Sequence, residues 1–413
     1  FANGVKLNLK KTDFEAGRIR LNARVGNGSI TEPASQRGLA AIAGSTFGPG
    51  GLGKHSADDL RRILAGKNVG WQFRPDSEAF LFSGGTTRED LLLELQYLGA
   101  LLTDPGYRPE ALRQARKGLE QLYLSFEHTA NGPLSTEIAN LLAGGDPRFG
   151  LPAKEIMLSR SLEEVKAWLA PQLARGALEL SIVGDLDPDA TIAAVAQTLG
   201  ALPAREPKPP LDELKKIAFP AQPFARDYSI PTEIPKGALA LFWPTSDAID
   251  VKRGRRLNLL SSIFSDRLRV KVREEVGGTY SPNAFSNASD TFAGYGYIMA
   301  NIDVDPAMAG KISDIVITLA DELATSGVTV DELNRARQPL LTSMKDSLRS
   351  NAYWLGRVLA RAQEQPETLD WTRNRIADIE SITPEELNTL AKSYLGRSRV
   401  SRATILPAET PRK

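Results

Sequence analysis

The residues that could do chemistry are few. The chain has two histidines, His55 and His128, and no cysteine. That composition excludes disulfides, thiolate metal sites and a cysteine nucleophile. Two-histidine zinc motifs work because residues at i and i+4 share a helix face and converge on one ion. Neither histidine has a second one at that spacing, so both read as surface or capping residues. Serine is plentiful, but no G-x-S-x-G nucleophile motif occurs. The run "GPGGLGK" (48–54) has the glycines of a phosphate loop. Its Lys54 is followed by His55 rather than Ser or Thr, and it trails a helical pattern, so it reads as a flexible loop.

One stretch stands out: "FSDRLRVKVREEVGGTYSPNAFSNASDTFAGYGYIMANID". A basic helix, Arg267 to Glu275, runs into Gly277-Gly278 and then Tyr280. Paired glycines end a helix and re-aim the chain, which predicts that Arg273 and Tyr280 come near each other. A guanidinium fork and a phenolic hydroxyl can then donate to peptide carbonyls or to a developing oxyanion. Alternatively, Arg273 satisfies the last helical carbonyls and Tyr280 packs on the next strand. The residues alone leave both readings open.

The elements that position these groups fall into two similar halves. "RPEALRQARKGLEQLYLSF" (108–126) has a counterpart in "TVDELNRARQPLLTSMKDSL" (329–348), with Ala115-Arg116 matching Ala336-Arg337 at an offset of 221. "SLEEVKAWLAPQL" (161–173) is echoed by "TPEELNTLAKSYL" (383–395) at an offset of 222. A strand follows each, "GALELSIVG" and "RVSRATILP". A nearly constant offset over two separated segments indicates a tandem duplication. The expected organisation is a first domain over 1–205, a Pro- and charge-rich linker over 206–235, and a second domain over 236–413. "VKLNLKK" and "RIRLNARVG" alternate as half-buried strands do, and "GWQFRPDSEAFLFSGG" reads as a hairpin. Ser56 is placed to cap the helix "SADDLRRILAGK". Strands and helices interleave at hairpin spacing, which favours α+β: two homologous domains, each an antiparallel-rich sheet packed with helices.

Of the chain's 413 residues, 51 are basic and 50 acidic, which leaves no global field for nucleic acid or an anionic membrane. No stretch approaches the roughly 20 apolar residues that span a bilayer. The start "FANGVKLNLKK" is no signal peptide and carries no initiator Met, so a processed product or a piece of a longer polypeptide is expected.

At this point "RVKVREEVGGTYSP" resembles the Arg-x6-Tyr segment of the pitrilysin/insulinase family of zinc metallopeptidases, the inverzincins. The resemblance covers essentially the whole chain. "FANGVKLNLKKTDF" and "GRIRLNARVGNGS" are similar to the family's first strands, "LLTDPGYRPEALRQAR" to its following helices, and "GGDPRFGLP" (144–152) to the segment after its zinc-binding helices. The tandem repeat fits a family in which each half-molecule has two homologous α+β domains, two halves closing like a clamshell around a peptide chamber. In the family, Gly-Leu-Ala leads into H-x-x-E-H, whose histidines bind zinc and whose glutamate activates water. In "GLAAIAGSTFG" (38–48), Ala41 stands at the first His, Gly44 at the Glu and Ser45 at the second His. Glu120 falls at the distance of the further ligand, but a lone carboxylate cannot hold catalytic zinc.

The resemblance therefore implies a non-catalytic half of a zinc metalloendopeptidase, inactive alone. It implies the C-terminal half of a chain about twice as long, or a separate subunit. Arg273 and Tyr280 would grip a peptide or unfolded-protein substrate, and the "TFAGYGYIMANID" strand would offer its edge to it. Zinc is expected in the partner half and none in this chain. No nucleic acid and no membrane insertion are expected, and bacterial relatives favour the periplasm over the cytoplasm. The competing reading is a non-enzymatic scaffold or peptide-binding subunit, resembling core subunits of membrane complexes.

Overall fold

The structure, a computed structural model, describes residues 1–276 and 281–408. The chain divides into two compact units. The first comprises Phe1–Glu120, Pro152–Leu214 and Met344–Asn374; the second comprises Gln121–Leu151, Lys215–Ser343 and the chain from Arg375 on. These units differ from the contiguous blocks 1–205 and 236–413 expected from sequence. Each takes one helical segment from the other half of the chain, 344–374 into the first unit and 121–151 into the second. Amphipathic periodicity shows that a helix covers something, without showing which sheet it covers.

The first unit is built on strands β1 (Lys6–Lys11), β2 (Ile19–Val25), β3 (Trp71–Pro75), β4 (Phe80–Thr86) and β5 (Leu178–Gly184). They form a five-stranded sheet in the order β1-β5-β2-β4-β3, with β1 and β5 parallel and the other pairs antiparallel. Strand β2 buries Ile19, Leu21, Ala23 and Val25 on one face. Every residue of the interior strand β5 is buried, which erases the alternation of a one-sided strand. Helices α1 (Leu39–Gly50), α2 (Ala57–Ile63), α3 (Leu91–Thr103) and α4 (Pro109–Glu127) follow the strand pairs. Ser56 caps α2 in a reciprocal box with Asp59. The opposite face of the sheet carries a polar row, Lys6, Glu179 and Arg24, in register across three strands. Segment 351–364 lies against it: Asn8 Nδ2 and Ser181 Oγ donate to the Leu359 carbonyl, at 2.9 and 2.8 Å.

The second unit repeats the plan with β6 (Ala225–Ile230), β7 (Gly237–Thr245), β8 (Asn283–Ser286), β9 (Gly296–Val304) and β10 (Ser401–Pro407), ordered β6-β10-β7-β9-β8. Again the outer pair β6–β10 is parallel and the rest antiparallel, so the two sheets share one topology. Strand β6 lies inside the 206–235 stretch expected as a linker. It pairs on one side only and buries little, so its sequence "ARDYSI" carries no strong alternation. Trp243 and Phe264 meet edge to face at 5.5 Å beneath one face. On the other face Ile138 and Leu142 pack on Ala240, Phe242 and Ala403.

The repeat extends to the helix caps. Ser161 and Glu164 open the helix Leu162–Arg175 with a capping box, and Thr383 and Glu386 open Pro384–Tyr394 in the same way. Ser161→Ala and Thr383→Ala are each expected to cost about 1 kcal/mol, read as a shift of the urea midpoint. A change in neither variant would mean the two helices hold by packing alone.

Candidate functional site

Helix α1 carries the motif positions. Gly38 precedes it at φ +86°, and the Leu39 N–H donates to Glu32 Oε1 at 2.9 Å, so a carboxylate occupies the helix N-terminus. Leu39, Ile42, Ala43, Thr46 and Phe47 point into the core, where the Phe47 ring stacks at 4.2 Å on Phe73 of β3. The other face is left to Ala41, Gly44, Ser45 and Gly48. Ala41 and Ser45 are exposed and Gly44 is half-buried. A Cβ on Gly44 would meet Pro75 Cδ of β3 at 3.3 Å. The Ser45 hydroxyl donates to the Ala41 and Ile42 carbonyls of its own helix, both at 3.0 Å. This face therefore holds no imidazole and no carboxylate. The residues present do not fit a zinc ion, and no hydrolytic step can be derived from them. Glu120 is exposed on α4. Among the described residues, no group of three or more His, Asp or Glu side chains could hold a metal.

The histidines are placed as ordinary surface residues. His55 is exposed and its backbone exchanges hydrogen bonds with Leu52; His128 is exposed and its Nδ1 meets the Pro231 carbonyl. "GPGGLGK" differs from the flexible loop expected. Gly48–Gly50 complete α1, and the rest is tied down by Gly53 N–H to the Asp104 carbonyl and Gly106 N–H to the Gly51 carbonyl, both at 2.9 Å. Gly51, at φ +66°, lies so close to the His55 carbonyl that a Cβ would sit 2.5 Å from it.

In the second unit the basic helix is longer than the sequence pattern suggested, running from Val251 to Val276. Arg273 sits exposed in its last turn, and among the described residues its guanidinium makes no hydrogen bond or ion pair. Tyr280, with Gly277 and Gly278, lies outside the described residues. The helix is pinned by Arg267, whose Nε and Nη2 take both oxygens of Glu332 at 2.6 and 2.9 Å, with Nη2 also on the Gly327 carbonyl at 2.7 Å. That bidentate hydrogen bond holds the Glu332 carboxyl down at about 2. A depressed carboxyl contributes stability that is complete above the ordinary glutamate range and is lost as pH falls through about 2. Arg267→Gln is therefore expected to cost about 2 kcal/mol at neutral pH, shrinking as pH falls below about 4. Equal cost at pH 2 and pH 7 would show that packing, not the ion pair, is what the arginine supplies.

The strand expected to offer an edge is covered over part of its length. β9 is bracketed by β7 along its whole length and by β8 over Ile298–Asn301. The sheet's free edge passes to β8, a four-residue strand too short for a periodic signal to register.

One carboxylate escaped the sequence reading. Glu94, in the apolar run of α3, is fully buried. Its Oε2 accepts the Gly70 N–H at 2.7 Å, while among the described residues Oε1 has no hydrogen-bond partner and no cation is paired with it. Burial pushes its carboxyl up to about 8. The signal available was a single acid inside "LLLELQYLGALL".

These features define a class: a two-unit α+β fold, each unit a five-stranded mixed sheet, whose helix α1 presents Ala41, Gly44 and Ser45 on its outer face. Residues 160–340 match the profile of the Peptidase M16 inactive domain. Over that segment the chain is similar to the inactive domain of this peptidase family, the pitrilysin family. Among curated relatives, the chloroplastic stromal processing peptidase of Pisum sativum is 25% identical, covering 88% of this chain and 32% of its own length. The crystal structure of the periplasmic protease PqqL from Escherichia coli superposes with a TM-score of 0.82 at 17% identity, over 98% of this chain and 45% of that one. A peptidase M16 inactive domain from Pseudomonas fluorescens superposes equally well, TM-score 0.82 at 18% identity, over 100% and 98%. The chain thus spans about a third of the length of the curated relatives it matches first.

Proposed function

We propose that this chain is the non-catalytic half of a zinc metalloendopeptidase. It forms part of the wall of a peptide chamber and grips the substrate backbone for cleavage at zinc held by another half, fused or separate. The observation that carries this reading is the exposed face of α1. The helix is built and capped, yet Ala41, Gly44 and Ser45 replace both ligands and the general base together. The exposed Arg273 supports a gripping role, with Tyr280 as its companion. Main-chain recognition of an extended peptide would fall to the β8 edge. The longer relatives support a catalytic half elsewhere in the protein or its complex, and the relative described as periplasmic supports an extracytoplasmic setting.

The test is the denatured mass of the native polypeptide, with an antibody to this region in extracts of the source cell. A band near twice the 44.9 kDa of this chain, with H-x-x-E-H in the added half, supports a fused enzyme. A band at 44.9 kDa supports a separate subunit, provided an H-x-x-E-H protein co-purifies with it. Neither form having such a partner overturns the reading and leaves the scaffold.

A further inference from the structure

The first unit holds a cavity of about 270 Å³ at one end of its sheet, between the chain before β1, the end of β2, the start of β5 and residues 205–208. Gly4, Gly26, Ala79 and Ala177 supply small apolar wall. Most of its charges are already answered. Glu179 accepts from Asn8 Nδ2 at 2.7 Å and from the Gln363 and Glu364 N–H groups at 2.8 and 3.1 Å. Lys208 pairs with Glu364 at 2.6 Å, and Arg24 lies 3.7 Å from Glu364 and 3.8 Å from Asp76.

Arg205 is the exception. It is 9% exposed, its Nη1 donates to the Leu173 carbonyl at 2.7 Å, and among the described residues no carboxylate lies within ion-pair distance. Its Nε and Nη2 are buried with no acceptor. Those two donors are the parallel pair of the guanidinium fork, the side that takes a carboxylate in bidentate fashion. A buried cation without a counter-charge is costly, and an anion at the fork relieves it. Burial also weakens the guanidinium's hold on its proton, in the direction expected for a charge lacking a partner.

We propose that this cavity binds a monoanionic carboxylate borne on a short apolar group, with the carboxylate on the Nε–Nη2 fork of Arg205. In the structure the fork is buried in the wall, and the proposal requires it to turn toward the cavity by a side-chain torsion. Glu179 and Glu364 in the same wall disfavour a phosphate dianion, and the small apolar lining suits an aliphatic tail. Two sources carry this chemistry: a free short-chain carboxylic acid, and the C-terminal residue of a peptide. The inference is independent of the peptidase reading and is tested without any activity.

Calorimetric titration of the full chain with hexanoate, hexanamide, acetyl-Ala-Ala-Leu and its C-terminal amide distinguishes the cases. The expected result is binding of the two acids at least about tenfold tighter than their amides, abolished in Arg205→Gln. A tighter free tripeptide identifies peptide ends as the source, and a tighter hexanoate identifies free acids. Ala177→Leu, which fills the cavity without touching the guanidinium, also abolishes binding and serves if Arg205→Gln does not fold. Equal affinity for acid and amide, unchanged affinity in either folded variant, or no heat with about 10 mM of either acid overturns the proposal.

Discussion

On the proposed function, Arg273→Ala in the complete enzyme is expected to lower kcat/KM for peptide cleavage by about a hundredfold, and Tyr280→Phe to lower it comparably. The magnitude is that of removing one preorganised donor from a developing oxyanion. The reason to expect it is that nothing among the described residues competes for Arg273. It stands exposed in the last turn of the Val251–Val276 helix, while the neighbouring cations are engaged: Arg269 with Asp266, Lys271 with Glu275 and Arg267 with Glu332. Because the side chain is exposed, the thermal midpoint should not move. If the loss falls on kcat with KM unchanged, the contact is made in the transition state; if on KM alone, it is uniform grip on the substrate. Unchanged kcat and KM in both variants would remove the gripping role from the proposed function.

Glu94→Gln is expected to stabilise the protein, increasingly so as pH rises. With the folded carboxyl at about 8 and the unfolded one in the ordinary glutamate range, the folded state keeps a proton that the unfolded state releases. Below about pH 4.5 both states are protonated, and the residue adds no pH dependence. Between there and about pH 8, native stability falls with rising pH by up to about 1.4 kcal/mol per unit from this group. Above that range the buried charge is carried in full. Glutamine keeps a carbonyl for the Gly70 N–H and carries no charge, so the variant should gain up to about 4 kcal/mol at pH 8 and little at pH 4.5. The measurement is urea unfolding of both proteins across that range. Parallel stability curves would show that Glu94 is solvated or paired when ionised.

Much of the architecture was readable from local patterning. β2 and the β3–β4 hairpin alternate cleanly, Ser56 announces its helix, and the matched segments around Ala115 and Ala336 foretold two sheets of one topology. The residue types on the outer face of α1 were legible in the sequence, since Ala41, Gly44 and Ser45 bring neither imidazole nor carboxylate wherever the helix lies. Other features depended on contacts far apart in sequence. β8 is too short and β6 too exposed to show a period. The segments 121–151 and 344–374 are amphipathic whichever sheet they cover. Arg205 sits among prolines and charges and looks like any solvated linker residue until its wall is assembled around it. Glu94 could have been noticed as the odd acid in an apolar run, but its lack of a cation appears only in three dimensions.

The traded segments bear on how this protein is made. When residue 214 leaves the ribosome, the first sheet is complete in strands, yet the residues that answer Asn8, Ser181 and Glu179 are still unwritten. Folding of the first unit must wait until residue 374 has emerged, so domain-by-domain folding during synthesis is not open to this chain. The same arrangement makes any cut between residues 214 and 215 a test of complementation. Each fragment carries a piece of the other's core, and the native units can return only when the two fragments are mixed.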